Sequence, residues 1–283
     1  MPGSAREFLE TIKVEHTIFA LPFAFMTLFL VSGGWPSGSD FVWVSVAMVA
    51  GRTFGMAANR LIDARLDARN PRTADRAIAA GRLTPRAVVF YMLVTMAVFL
   101  LAVWQLHPVC RKLWPVVIAA LVIYPYAKRF TAAAHLFLGA VYFMIPTAIW
   151  LAVTGTLERP ALLLGVGAGL WVAGFDIIYA LLDVESDRRA GLHSMPADLG
   201  LAPALWISRL FHVGFVACLG IAGIDLAAGA FYYAGLGLTA VLLGWEHRLV
   251  SARDLSRVNA AFFTTNGVVS VVLFVFIAAD TVL

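Results

Sequence analysis

Apolar runs of about 17–25 residues, the length a helix needs to cross ~30 Å of hydrocarbon, recur along this chain with only short polar breaks between them. They fall near residues 16–34, 41–62, 85–106, 112–127, 135–154, 160–182, 203–224, 227–246 and 259–280, the fourth being short. Only 13% of the 283 residues are charged and 61% are hydrophobic, against roughly a quarter charged in a soluble domain. The pattern leaves no room for a soluble domain. It predicts an all-α fold, a polytopic membrane helical bundle of about nine transmembrane helices. The opening "MPGSAREFLETIKVEH" carries mixed charge and precedes an apolar stretch as long as a true span, so the first span is read as retained and not as a cleaved signal.

Basic residues are retained on the cytoplasmic side of a bilayer. With the N-terminus inside, the interior segments hold Arg6, Lys13, the arginines from Arg60 to Arg86, Lys128, Arg129, Arg188, Arg189 and those from Arg248 to Arg257; only Arg111, Lys112 and Arg159 lie outside. The reading is a multi-pass protein of the cell (plasma or inner) membrane with its polar loops in the cytoplasm. The net charge of +4 is thus a matter of topology and of anionic ligands, and nucleic acid is not needed to explain it. Cys110 and Cys218 make neither a disulfide framework nor a metal motif.

The second run ends in "NRLIDARLDAR". Residues at i, i+4 and i+8 of a helix share one face, so Asn59, Asp63 and Asp67 aim oxygens at one point, with Arg52 seven residues earlier on the same stripe. Carboxylates with an amide oxygen suit a hard ion such as Mg²⁺, which keeps water and substrate phosphate in its shell. The alternative is a solvated helix end with its aspartates paired to nearby arginines. Arg52 speaks against that, because an arginine inside a span faces a cavity with a partner. "NPRTADRAIAAGRL" follows, and Arg72 and Arg76 suit either a basic lid over a diphosphate or plain anchoring.

The sixth run repeats the arrangement. In "WVAGFDIIYALLDVESDRRAGLHSM", Tyr179, Asp183 and Asp187 keep the four-residue spacing, and Asp176 stands seven before Asp183 as Arg52 does before Asn59. Each long interior loop therefore opens with a carboxylate stripe, and two pseudo-repeated halves around a central cavity are the simplest arrangement. Asp176 lies inside a span, where a carboxylate needs a partner or a function. Trp171, Phe175 and Tyr179 lie at four-residue spacing on about the same face as the carboxylates, for packing or for stabilising positive charge. Glu185 is read as a solvated neighbour and His193 as a polar loop residue. Lys128 and Arg129 in "YPYAKRF" either anchor the fourth span or bind diphosphate. Lys13, Glu15 and His16 stand at the mouth of the first span, and Asn259 and Asn266 are read as interhelical hydrogen-bonding groups.

"NRLIDARLDARNPRTADRAIAAGRL", "YPYAKRFT" and "YALLDVESDRRAGLHS", in this order and at span ends, resemble the three characteristic segments of the UbiA-type intramembrane aromatic prenyltransferases. Many members begin the first motif with Asn-Asp where this chain has Asn59-Arg60. The opening "KVEHTIFALPFAF" and "GLHSMPADLG" are most similar to the 4-hydroxybenzoate polyprenyltransferase-like branch, which includes the naphthoate prenyltransferases of the futalosine menaquinone route. The resemblance implies one prenyltransferase domain over residues 1–283 that takes a polyprenyl diphosphate and a small aromatic acid at the lipid bilayer, in ubiquinone or menaquinone biosynthesis. It implies Mg²⁺ held by Asn59, Asp63, Asp67, Asp183 and Asp187, catalysis involving Asp63, Asp183, Asp176 and Tyr179, and substrate binding by Arg52, Asn59, Arg72, Arg76, Lys128 and Arg129. A family member with a haem, chlorophyllide or glycerol phosphate ether acceptor, or an ion-coupled transporter, remains the alternative.

Overall fold

A computed structural model describes residues 5–12 and 17–283; Lys13, Glu15 and His16 lie outside the described residues. Among these the chain is helical, without a β-strand. The main helices are α2 (Thr17–Ser32), α3 (Gly38–Ile62), α5 (Pro85–Gln105), α6 (Cys110–Ile123), α7 (Ala134–Thr154), α8 (Arg159–Ala180), α11 (Leu201–Asp225), α12 (Ala230–Leu249) and α13 (Asn266–Val282). The short helices are α1 (Ala5–Thr11), α4 (Ala64–Asp67), α9 (Val184–Ala190) and α10 (Met195–Leu199). Each of the nine apolar runs thus holds a helix. Seven helical segments among the described residues are long and apolar enough to cross a membrane. α2 is apolar throughout Leu21–Ser32, and α12 ends on Glu246, His247 and Arg248. The short fourth run is α6 prolonged by a 3-10 segment, Tyr124–Arg129.

The chain divides into two compact units. The first takes Met1–Thr17 and Ser39–Tyr126, the second Ile18–Gly38 and Ala127–Leu283. In the first, Phe8 and Ile12 of the N-terminal segment pack with Ala57, Ile78, Leu83 and Val88, and Phe8 stacks on Tyr91 at 4.3 Å. α3 presents small residues to its neighbours: Gly51 meets the Phe99 ring and Gly55 lies against Leu121. Without a hydrophobic drive between helices in lipid, such close approach is what lets dispersion hold them.

The second unit is built around Trp171, which is fully buried and lies between Phe23 and Phe215, with ring centroids 5.6 and 5.7 Å away. Its indole N–H donates to Asn266 Oδ1 at 2.8 Å, and Asn266 Nδ2 donates to Glu246 Oε1 at 2.7 Å. Asn266 therefore links α8, α12 and α13, the interhelical role the sequence suggested. Asn266→Leu orphans the indole N–H and one Glu246 oxygen together, and an unsatisfied buried polar group costs about 1–3 kcal/mol. The variant is expected to unfold in detergent at a clearly lower temperature; an unchanged midpoint would show that the network adds nothing.

α7 and α8 meet backbone to backbone. A Cβ placed on Gly139 would lie 2.6 Å from the Gly169 carbonyl oxygen, and one on Gly169 would lie 2.8 Å from that of Gly139. These reciprocal glycines set the distance between two helices that both carry polar residues of the site.

Candidate active site

The first motif does not lie on one uninterrupted helix. α3 ends at Ile62 and Asp63 forms a joint to α4, with φ −93° and ψ 3°. This is the sparsely populated region between helix and extended chain where functional residues often sit. The four-residue hydrogen bonding nevertheless survives the joint: Asp63 N–H donates to the Asn59 carbonyl at 3.0 Å and Asp67 N–H to that of Asp63 at 2.8 Å. Asn59, Asp63 and Asp67 therefore keep their register while the chain bends. Asp63 and Asp67 are only 2% and 6% exposed, so the picture of a solvated helix end does not hold for them.

The basic loop folds back on this motif. Arg76 contacts Asp67 Oδ1 at 2.6 Å, and the Thr73 hydroxyl donates to the Asp67 carbonyl at 3.0 Å. Arg76, which suits either a lid over diphosphate or an anchor, is here fastened to a carboxylate, because a buried charge needs a counter-charge close by. Arg72 is exposed, its backbone N–H capped by Asn70 Oδ1 at 3.0 Å. Arg60 is buried at 9% exposure within electrostatic reach of Asp67 and Asp63; Arg65 and Arg69 are exposed. Arg52 is half-buried and donates to the Ile12 carbonyl at 3.3 Å.

The second motif has the same construction. α8 gives way to a 3-10 turn, Leu181–Asp183, and Asp183 joins it to α9 with φ −106° and ψ 0°. Each unit thus carries an aspartate at a bent helix joint, followed four residues on by a second aspartate. α9 stops at Gly191, whose φ of +64° reverses the chain in the left-handed conformation that glycine tolerates. Ser194 then caps α10 and donates to Asp187 Oδ2 at 3.1 Å, while His193 contacts Asp198 at 2.9 Å, as befits a loop residue. The His193 N–H donates to the Lys128 carbonyl at 2.7 Å, which holds the Lys128–Arg129 segment beside this loop.

Asp176 is in contact with His135 of α7, Oδ2 to Nδ1, at 2.7 Å. His135 escaped the sequence reading; the signal present was an ionisable residue at the start of a span. Tyr179 stacks on Phe262 at 4.2 Å, and Phe263 meets it edge-on at 5.9 Å. Both phenylalanines belong to a π-helical segment, Ala260–Thr265, a local widening frequent at functional sites. Tyr179 therefore packs as the aromatic reading allowed, within a cluster of rings.

Among the described residues no three His, Cys, Asp or Glu side chains converge tightly enough to cage an ion by themselves. The side chains of the two motifs offer oxygens, donors that suit a hard ion such as Mg²⁺, which is bound by few carboxylates with the remainder of its shell supplied by phosphate and water.

The sequence model of the UbiA prenyltransferase family matches residues 20–268. The chain is 30% identical over 243 residues to a 4-hydroxybenzoate octaprenyltransferase of Shewanella piezotolerans, covering 85% of this chain and 84% of that protein. It is similar to the apo structure of a UbiA homologue from Aeropyrum pernix, with a TM-score of 0.85 at 30% identity over 95% of this chain and 98% of the other. A UbiA homologue from Archaeoglobus fulgidus, solved bound to DMAPP and Mg²⁺, shares the fold with a TM-score of 0.75 at 18% identity over 97% and 99% of the two chains. Matched along most of its length in sequence and in fold, the chain belongs to the UbiA prenyltransferase family.

Proposed function

We propose that this enzyme, an aromatic prenyltransferase, transfers a polyprenyl group from an allylic polyprenyl diphosphate to 4-hydroxybenzoate or a dihydroxynaphthoate, in ubiquinone or menaquinone biosynthesis. The observation that carries the reading is the repeated aspartate joint, Asp63 with Asp67 and Asp183 with Asp187, each beside a basic loop. The name of the Shewanella relative favours 4-hydroxybenzoate and an eight-unit chain, and the Archaeoglobus homologue binds an allylic diphosphate with Mg²⁺.

Mg²⁺ held by Asn59, Asp63, Asp67, Asp183 and Asp187 would neutralise charge on the departing diphosphate. Arg72, Lys128 and Arg129 bind diphosphate oxygens, as guanidinium and ammonium groups do, and Arg76 orients Asp67 at the edge of that site. Arg52 receives an anionic group. The bond from the allylic carbon to the diphosphate oxygen breaks, leaving a cation; a ring carbon of the acceptor forms the new bond and the ring then loses its proton. Tyr179 offers its face to the cation, and Asp176 serves the acceptor side. The hydrocarbon tail lies between helices or in lipid, and the loops work on the cytoplasmic face of the cell membrane, where the positive-inside asymmetry puts them.

Purified protein incubated with Mg²⁺, octaprenyl diphosphate and either acceptor is expected to give a prenylated product detectable by mass spectrometry and abolished by EDTA. Product from neither acceptor sinks the assignment; flux of a small ion across liposomes without product would favour the transporter instead.

A further inference from the structure

His135 is buried at 4% exposure in the first turn of α7, and both of its ring nitrogens are engaged. The Met195 backbone N–H lies 3.3 Å from Nε2. A backbone N–H only donates, so Nε2 accepts and the ring proton resides on Nδ1, where it is given to Asp176 Oδ2 at 2.7 Å. The peptide that ends in this N–H begins at Ser194, itself 4% exposed. The Ser194 hydroxyl donates to Asp187 Oδ2 at 3.1 Å and accepts from Ala197 N–H at 3.3 Å. One imidazole thus ties Asp176, seven residues before Asp183, to the turn that orients Asp187. The Gly139–Gly169 contact brings α7 near enough to α8 for this reach.

We propose that His135 is a positioning residue that fixes Asp176 and Asp187 as one unit through the Ser194–Met195 peptide. This rests on the prenyl-transfer reading above and goes beyond it, since His135 touches neither metal nor diphosphate in that scheme. Hydrogen-bonding partners behind a metal ligand lock its rotamer, and losing one typically weakens metal binding about 10–100-fold. His135 also holds the elbow that carries the His193 contact to Lys128, so the diphosphate side feels the same restraint.

The test is Mn²⁺ binding followed by electron paramagnetic resonance, in the presence of geranyl S-thiolodiphosphate, whose carbon–sulfur bond resists ionisation. Prenyl transfer and thermal unfolding are measured on the same preparations. His135→Leu keeps the volume and removes both hydrogen bonds; Mn²⁺ binding is expected to weaken about tenfold, with the Mg²⁺ needed for half-maximal rate rising in step. His135→Gln offers one donor and one acceptor and is expected to return to within about threefold of wild type. Unchanged Mn²⁺ binding in His135→Leu overturns the proposal, as does a His135→Gln variant that binds as weakly as His135→Leu. Should His135→Leu fail to fold, Ser194→Ala removes the bond to Asp187 together with the cap on Ala197 N–H, and wild-type Mn²⁺ affinity in that variant overturns the proposal equally. If wild-type protein neither binds Mn²⁺ nor forms product, the prenyl-transfer reading itself falls; normal wild-type behaviour with insensitive variants removes only the role of His135.

Discussion

Asp63→Asn and Asp183→Asn are each expected to slow prenyl transfer at least about 100-fold at saturating Mg²⁺, a loss of roughly 2.7 kcal/mol of transition-state stabilisation. Asparagine keeps the volume and one oxygen but removes the charge that draws a hard cation. Both aspartates sit at the joint of a bent helix, so the backbone already fixes where the side chain starts and no alternative carboxylate moves into place. Folding gives the contrasting readout. Asp63 is 2% exposed and within electrostatic reach of the buried Arg60, so losing its charge costs some stability, whereas half-buried Asp183 loses less, and in both variants the fall in unfolding temperature should stay small beside the collapse of activity. Wild-type rates in both variants would remove these residues from the metal site. A parallel fall in stability and activity would mark them as structural.

Gly139→Leu is expected to cost more than any other single change outside the motifs, about 3 kcal/mol or more of stability, with folded protein hard to recover. The first atom of any side chain there meets the Gly169 carbonyl at 2.6 Å, and a backbone carbonyl in a helix cannot rotate away as a side chain can. α7 must therefore separate from α8, which also stretches the 2.7 Å contact of His135 to Asp176. Gly139→Ala should show a milder version of both effects. Thermal unfolding in detergent together with the Mg²⁺ dependence of the rate checks this. A Leu variant as stable as wild type would mean that the helices reposition freely.

The helical course of the chain was legible because each apolar run is long enough to commit to a helix whatever its neighbours do. Asn266 shows how far such reading extends: a polar residue on an apolar face had to find partners, and it found Trp171 and Glu246. The partners themselves were not legible. They come from helices 20 and 95 residues away along the chain, and spacing within one helix carries no information about another. Arg60 and Arg76 illustrate the same limit, since a run of arginines at a span end reads as anchoring until tertiary packing buries one and pairs the other with Asp67.

By itself the sequence determined that the protein is helical and membrane-spanning and that its two carboxylate motifs have four-residue spacing. Those are consequences of composition and local periodicity, which act within a turn or two of helix. Only the tertiary structure decided that each motif bends at its central aspartate, that His135 is the partner of Asp176, and that a π-helical segment carries Phe262 to Tyr179. Each depends on how closely two distant segments approach, and in α7 and α8 that distance is set by two glycines lacking the one atom that would keep the backbones apart.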